Sequence, residues 1–244
     1  ILQASKLAAT EAMSIATTPL QSDSESRTQA SLIRALMLIQ MGLGVFLNFF
    51  LLQPILSPGA EGLAAGMSGL LGFSTLLALA LSSLNIVYVQ LLPRTVTSTF
   101  PNSTTLVIVF ATAGFGLCAV EYAKLTEYVS YAGGLLDQFG QDISPAQQHL
   151  RATFASGRNA AHFLSMIFSS LSLLLFYSVL VRSQLIAKQL GTLALVSCAV
   201  QLIAVGHALF DFAIPTLLQL PLLVTQIVIP IYLLSRGFNS QKQH

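Results

Sequence analysis

Charge is what this 244-residue chain has least of: Asp, Glu, Lys and Arg together make up 8% of it. Soluble domains carry about a quarter of their residues as charged side chains, and a surface this poor in charge is not kept in water. Apolar residues reach 54% and the mean hydropathy is +0.75. Both figures point to a membrane protein. Tryptophan is absent, so an interfacial aromatic belt has to come from Tyr, with Phe packing among the lipid chains. The two cysteines, Cys118 and Cys198, both sit inside apolar runs. That gives no basis for a disulfide framework or a four-cysteine metal site. A net charge of +2 without a basic stripe excludes nucleic acid as a partner. No H-E-x-x-H, Walker A, dinucleotide fingerprint or Gly-x-Ser-x-Gly elbow occurs, so no enzymatic activity is read from the chain.

What the chain does have is long apolar runs. Six reach the roughly 20 residues needed to cross ~30 Å of hydrocarbon: Arg34–Leu56, Gly62–Leu92, Thr104–Tyr122, Ala160–Val181, Ala187–Phe210 and Ile214–Leu234. Each is apolar on all faces, without the alternation of outer-membrane strands. In lipid the backbone must satisfy itself, so these runs are helices. The expected fold is all-α: a polytopic six-transmembrane-helix bundle over residues 31–238. Residues 1–30 read as a tag or upstream extension (Met13 resembles a start) followed by a disordered cytoplasmic tail, and 239–244 as a second tail. The second run exceeds what a bilayer needs and should tilt, kink or begin outside.

Orientation follows from the basic residues. With the N-terminus inside, inner segments hold Lys6, Arg27, Arg34, Arg94, Arg182, Lys188, Arg236 and Lys242, and outer ones only Lys124, Arg151 and Arg158. The positive-inside rule then places both termini inside. The long connection, 126–157, falls outside. Its Tyr128, Tyr131, Leu135, Leu136 and Phe139 predict a short amphipathic piece on the outer surface, interrupted at Gly133 and Gly134. Ser144-Pro145-Ala146-Gln147 predicts a capping box opening a helix into crossing four. This connection reads either as a packed cap or as a lid or docking surface. Gly62 and Gly66 mark a close helix approach. Pro215, Pro221 and Pro230 should kink or interrupt crossing six, as in inert membrane helices or in transporter sites.

Intramembrane ionisable groups are functional candidates by default. His162 lies 20 residues before Arg182 and His207 19 after Lys188, about 30 Å along each helix. Glu121, Lys124, Arg158 and Asp211 reach the same outer level. Glu121 and Lys124 pair at i,i+3; Arg158 with His162, and His207 with Asp211, pair at i,i+4. Crossings three, four and five therefore converge on an outer polar cluster, either marking the interface or binding an outer-side ligand. His162 and His207 also offer axial ligands to a haem, or hold a metal with Asp211 or Glu121. Ser165, three residues after His162, could approach it on one helix face, but no third group is evident to orient that pair. A second polar set lies deeper: Asn85 and Gln226 near mid-bilayer, with Asn48 and Gln201 somewhat higher. Such amides either tie helices together or line a solute path.

The run Leu175–Ile186, LFYSVLVRSQLI, and the closing Ile231–Phe238, IYLLSRGF, carry a resemblance. With Arg158 and His162 at the entry to crossing four, they are similar to a bacterial family of six-crossing membrane proteins known only as domain of unknown function forty-three eighty-six. The likeness extends over roughly Ser31 to Phe238; it departs at Ala187, where a proline is expected. It implies a multi-pass protein of the bacterial cytoplasmic membrane and no particular activity. Beyond the lipid bilayer, the possible partners are another membrane protein or a second copy of the chain. The functional expectation is a non-enzymatic binding, accessory or sensory protein. A small-solute transporter or channel is the alternative, and a haem- or metal-binding membrane protein stands behind both.

Overall fold

The computed structural model describes residues 28–56, 68–139, 144–210, 212, 216–218, 220–236 and 238. The expectations for the N-terminal extension, Gly62 and Gly66, Asp211, Pro215 and the last six residues lie outside the described residues. Six apolar helices follow one another: α1 (Thr28–Leu56), α2 (Ser68–Gln90), α3 (Pro101–Phe139), α4 (Pro145–Arg182), α5 (Lys188–Ala208) and α6 (Leu220–Arg236). A short helix, Arg94–Thr99, joins α2 to α3. No strand occurs among the described residues. The first five are long and apolar enough to cross a membrane; α6, at 17 residues, is apolar but shorter. The chain is an all-helical, multi-pass membrane protein. Its outward apolar side chains agree with that: Phe50 is 64% exposed and Leu76 70%, surfaces that only lipid would cover at no cost.

From α2 onward each helix packs on the next in the chain, and two apolar clusters sit at opposite ends of the bundle. One gathers Ile33 and Met37 of α1 with Tyr88, Phe176, Leu180, Cys198 and Ile229. The other joins Leu47, Leu51 and Ile55 to Leu71, Leu81, Tyr122, Leu125 and Val129. Arg34 ties the first helix to the last, donating through Nη1 to the carbonyls of Leu233 and Leu234 at 3.4 Å each. A guanidinium near a helix C-terminus meets carbonyls that lack intrahelical donors.

α3 and α4 form the longest feature, an antiparallel hairpin of 39- and 38-residue helices. At 1.5 Å per residue each is about 57 Å long, far more than a bilayer requires. The amphipathic piece expected to lie across the surface is instead the continuation of α3. Gly133 and Gly134 do not interrupt it, because Leu125, Val129, Ala132 and Leu135 carry the buried stripe on at helical spacing. α4 opens as expected: Ser144 Oγ accepts from the Gln147 backbone N–H, Gln147 reaches back to the Ser144 N–H, and Pro145 follows the cap.

The two helices keep a fixed register. Ser172 Oγ donates to Val107 O, and Ser165 Oγ donates to Gly114 O, both at 3.0 Å. Arg158 pairs with Glu121 at 3.0 Å, and Arg151 Nη2 donates to Tyr128 Oη at 3.4 Å. Each rung lies seven residues from the last on both helices, the spacing at which a helix returns to the same face every two turns. At Gly114 the helices come close: a Cβ there would stand 2.7 Å from Ser169 Oγ and 3.2 Å from Ser169 N.

Proline acts locally elsewhere. Pro54 has no N–H to continue the ladder of α1, and just before it the chain widens into a π-turn over Leu47–Leu52 with Gln53 N–H bonding Asn48 O. Pro221 occupies the second position of α6, where a donor is not needed; only Pro230 lies inside that helix. The α4–α5 turn closes with Gln184 at φ 56°. Leu185 N–H bonds Leu180 O and Gln184 N–H bonds Val181 O, a Schellman arrangement with glutamine where glycine is usual.

Candidate functional site

The charged rung of the hairpin is the candidate site. Glu121, on α3, has a side chain only 6% exposed and stands between two α4 residues one turn apart. Its Oε1 accepts from Arg158 Nη2 at 3.0 Å and meets His162 Nδ1 at 2.9 Å. Arg158 is 14% exposed; its Nη1 donates to Asn159 Oδ1 at 3.2 Å, while its Nε is buried without a partner. His162 is the open member at 35% exposed, with its ring against Phe163. Beneath the trio Tyr122 and Cys118 are buried in the apolar cluster of that end. Taking a carboxylate and a guanidinium out of water costs several kcal/mol per ion before pairing offsets it, so the arrangement is one that packing alone would not favour.

Of the six residues expected at the outer cluster, the structure joins three. Lys124 pairs with Glu127 at 2.8 Å rather than with Glu121, and both are well exposed, a contact that contributes little to stability. His207 bonds Ile203 O within its own helix at 2.7 Å and leans on Phe212. Sixteen residues beyond Gly191, it lies about 160° round α5 from the glycine whose Cβ would meet Val181 of α4. α5 therefore turns His207 away from α4, and a haem or metal shared with His162 finds no support. Asp211 lies outside the described residues. Among the described residues no group of three His, Cys, Asp or Glu side chains could hold a metal. Ser165 is committed to Gly114 O and makes no pair with His162.

The deeper amides do not converge either. Asn85 is buried on α2, where its Oδ1 accepts from Gln40 Nε2 at 3.3 Å. Gln40 also donates to Leu81 O at 2.9 Å and accepts from the Tyr88 hydroxyl, so these groups tie α1 to α2. Asn48 is exposed and bonds back to Gly44 O. Gln226 is half-buried on α6. Gln201 is buried on α5 with its Oε1 unpartnered, as is the Tyr177 hydroxyl on α4.

Sequence reading missed Gln40 and Tyr88, single polar residues in apolar helices with no pattern to mark them. It also gave Glu121 the wrong partner, favouring an i,i+3 neighbour over residues 37 and 41 positions away. A signal was present: Arg151, Arg158, Ser165 and Ser172 recur every seven residues on one face of α4.

No curated protein and no solved structure matches the chain. A family model described as Domain of unknown function (DUF4386) matches residues 32–237, well over half of its length. With an all-helical fold of apolar spans and that match, the chain belongs to the DUF4386 family of domains of unknown function.

Proposed function

We propose that this is a non-enzymatic binding, accessory or sensory protein of a bacterial cytoplasmic membrane. In this reading it crosses six times, keeps both termini inside, and presents the Glu121–Arg158–His162 cluster at the outer boundary. The Arg34 contacts to Leu233 and Leu234 support an even number of crossings, since they set the start of α1 beside the end of α6. The basic residues favour that end as the inner one. From Arg182 at the proposed inner end of α4, His162 is about 30 Å along the helix, which supports a cluster at the level where the hairpin leaves the lipid.

The observation that carries the reading is the burial of Glu121. A carboxylate 6% exposed, held by two basic side chains of the neighbouring helix, is expensive in lipid and is expected where it serves a site. The imidazole is the part of the trio that a ligand from the outer side could reach. Native mass spectrometry of gently solubilised protein tests this. The parent should carry a bound mass that His162→Gln lacks at unchanged Tm, and identical spectra would end the proposal. A solute path is the second reading, favoured by the orphaned Oε1 of Gln201 in the membrane interior.

A further inference from the structure

Two polar atoms inside the bundle are buried without a partner among the described residues: the hydroxyl of Tyr177 on α4 and Oε1 of Gln201 on α5. Both side chains are more than nine-tenths buried, Tyr177 at 0% exposed and Gln201 at 5%. Buried polar atoms in native proteins are nearly always bonded, to protein or to an ordered molecule, so two orphans on neighbouring helices call for a common cause. The seam between those helices supplies it. A Cβ on Gly191 of α5 would run into Val181 of α4, which sets these two positions level. From there Tyr177 and Ser170 continue the α4 face at helical spacing, and Ala194, Cys198 and Gln201 continue that of α5; all five are buried.

In this antiparallel register Gln201 stands opposite Ser170 and six residues, about 9 Å, from the level of Tyr177. Side chains lean toward the start of their own helix. Tyr177 therefore leans toward the level of Gln201, and Gln201 toward that of Tyr177. The seam at that level is made of small residues, Ser170 and Cys198, which leave room between the two polar ends. Gln201 Oε1 can only accept, while a tyrosine hydroxyl donates or accepts. Neither helix carries a carboxylate, so a cation there would be uncompensated in the membrane interior, and an anion would face the amide oxygen.

We propose that α4 and α5 hold between them a site for one small neutral molecule that both donates and accepts hydrogen bonds, joining the Tyr177 hydroxyl to Gln201 Oε1. Water is its smallest member, since buried waters settle on polar atoms left unsatisfied; a small amide or alcohol offers the same chemistry. The site needs neither the Glu121 cluster, whose His162 lies about 22 Å from Tyr177 along α4, nor an open path through the membrane.

The test uses the full chain in lipid bilayers with tyrosine labelled at Cζ with carbon-13, the Tyr177 signal being assigned by its loss in Tyr177→Phe. In water-edited solid-state NMR, Tyr177 should receive magnetisation from water despite its burial, and Gln201→Leu should largely abolish the transfer. Acetamide, which carries one carbonyl and one NH2, is then added. A saturable shift of the Tyr177 signal with loss of the water transfer would support a site that takes organic solutes; transfer unchanged by acetamide would support the site with water as its occupant. Neither signal would overturn the proposal. In thermal unfolding, Tyr177→Phe and Gln201→Leu should each lower Tm, and together by less than the sum, because each single change strands the other group. Singles that each raise Tm would show two orphans in a dry core, and coupled losses without either NMR signal would show that the two groups meet directly; both results would overturn the site.

Discussion

Replacing Glu121 by leucine would leave the Arg158 guanidinium, only 14% exposed, without the carboxylate that stands 3.0 Å from it. Breaking a buried ion pair from one side costs about 3–5 kcal/mol, because the remaining charge is left uncompensated. Arg158 keeps some exposure and has a long stem with which to reach water, so the lower end, about 3 kcal/mol, is expected. His162 loses its acceptor too, but at 35% exposed it can recruit water and adds little. Glu121→Gln keeps an oxygen for both donors and should cost about 1–2 kcal/mol. The informative variant is the double one, Glu121→Leu with Arg158→Met. Removing both charges leaves apolar groups of similar volume in place of the pair, and stability should return to within about 1 kcal/mol of the parent. Since Arg158→Met alone also breaks the pair at a cost, the cycle predicts a coupling of more than about 2 kcal/mol between α3 and α4. Reversible unfolding in mixed detergent micelles, followed by far-ultraviolet circular dichroism, measures it. If Glu121→Leu lies within about 0.5 kcal/mol of the parent and the double variant is additive, the trio is not a buried pair in any energetic sense and the site argument fails.

Three other outcomes follow from single positions. Gly114→Ala should destabilise by about 1 kcal/mol, because overpacking against Ser169 outweighs the helix-propensity gain, whereas Gly116→Ala, with nothing within 4 Å, should stabilise by up to about 1 kcal/mol; equal effects in the same unfolding assay would refute the close approach. Gln184→Gly should raise stability by about 0.5–1 kcal/mol by relieving the left-handed backbone at φ 56°, and a loss of stability would show that the glutamine side chain holds the turn. For orientation, a membrane-impermeant maleimide applied to intact cells should label Ser156→Cys and not Ser235→Cys, both exposed positions, with the native Cys118 and Cys198 silent because they are buried; the opposite pattern would invert the proposed topology.

Much of the fold was legible because lipid makes strict demands on a sequence. Apolar length alone located the helices, and the Ser144 cap was readable because its side-chain chemistry is local. What escaped was the extent of α3 and α4. Beyond the lipid, apolar length no longer marks a helix, and the buried positions of α3 thin to a stripe of Leu125, Val129, Ala132 and Leu135 among polar neighbours. The buried stripe carries the helix through Gly133 and Gly134, which would weaken an isolated one. The site was half legible. Depth along each helix placed Glu121, Arg158 and His162 at one level, but the same argument placed His207 there as well, and depth carries no information about azimuth. Counting from the glycine that touches α4 supplies the missing angle, and that glycine is identified only once the helices are seen together.

The chemistry of the hairpin changes along its length in the order that a change of surroundings would impose. Where the helices are clad in apolar side chains, the rungs are neutral: the hydroxyls of Ser172 and Ser165 on the carbonyls of Val107 and Gly114. Such contacts cost little to bury because donor and acceptor are both satisfied. One step further the rung is ionic, Glu121 with Arg158 and His162. The next is a guanidinium over the ring of Tyr128 at 5.9 Å, a contact at home where water begins. The change of surroundings permits a charged rung without requiring one, since another serine in place of Arg158 would also hold the helices and avoid the cost of burying ions. The switch occurs at the single rung that also carries an imidazole one turn away with an edge left open. That coincidence, more than the presence of charge, is what distinguishes the Glu121 rung from its neighbours and makes it the place to look for a ligand.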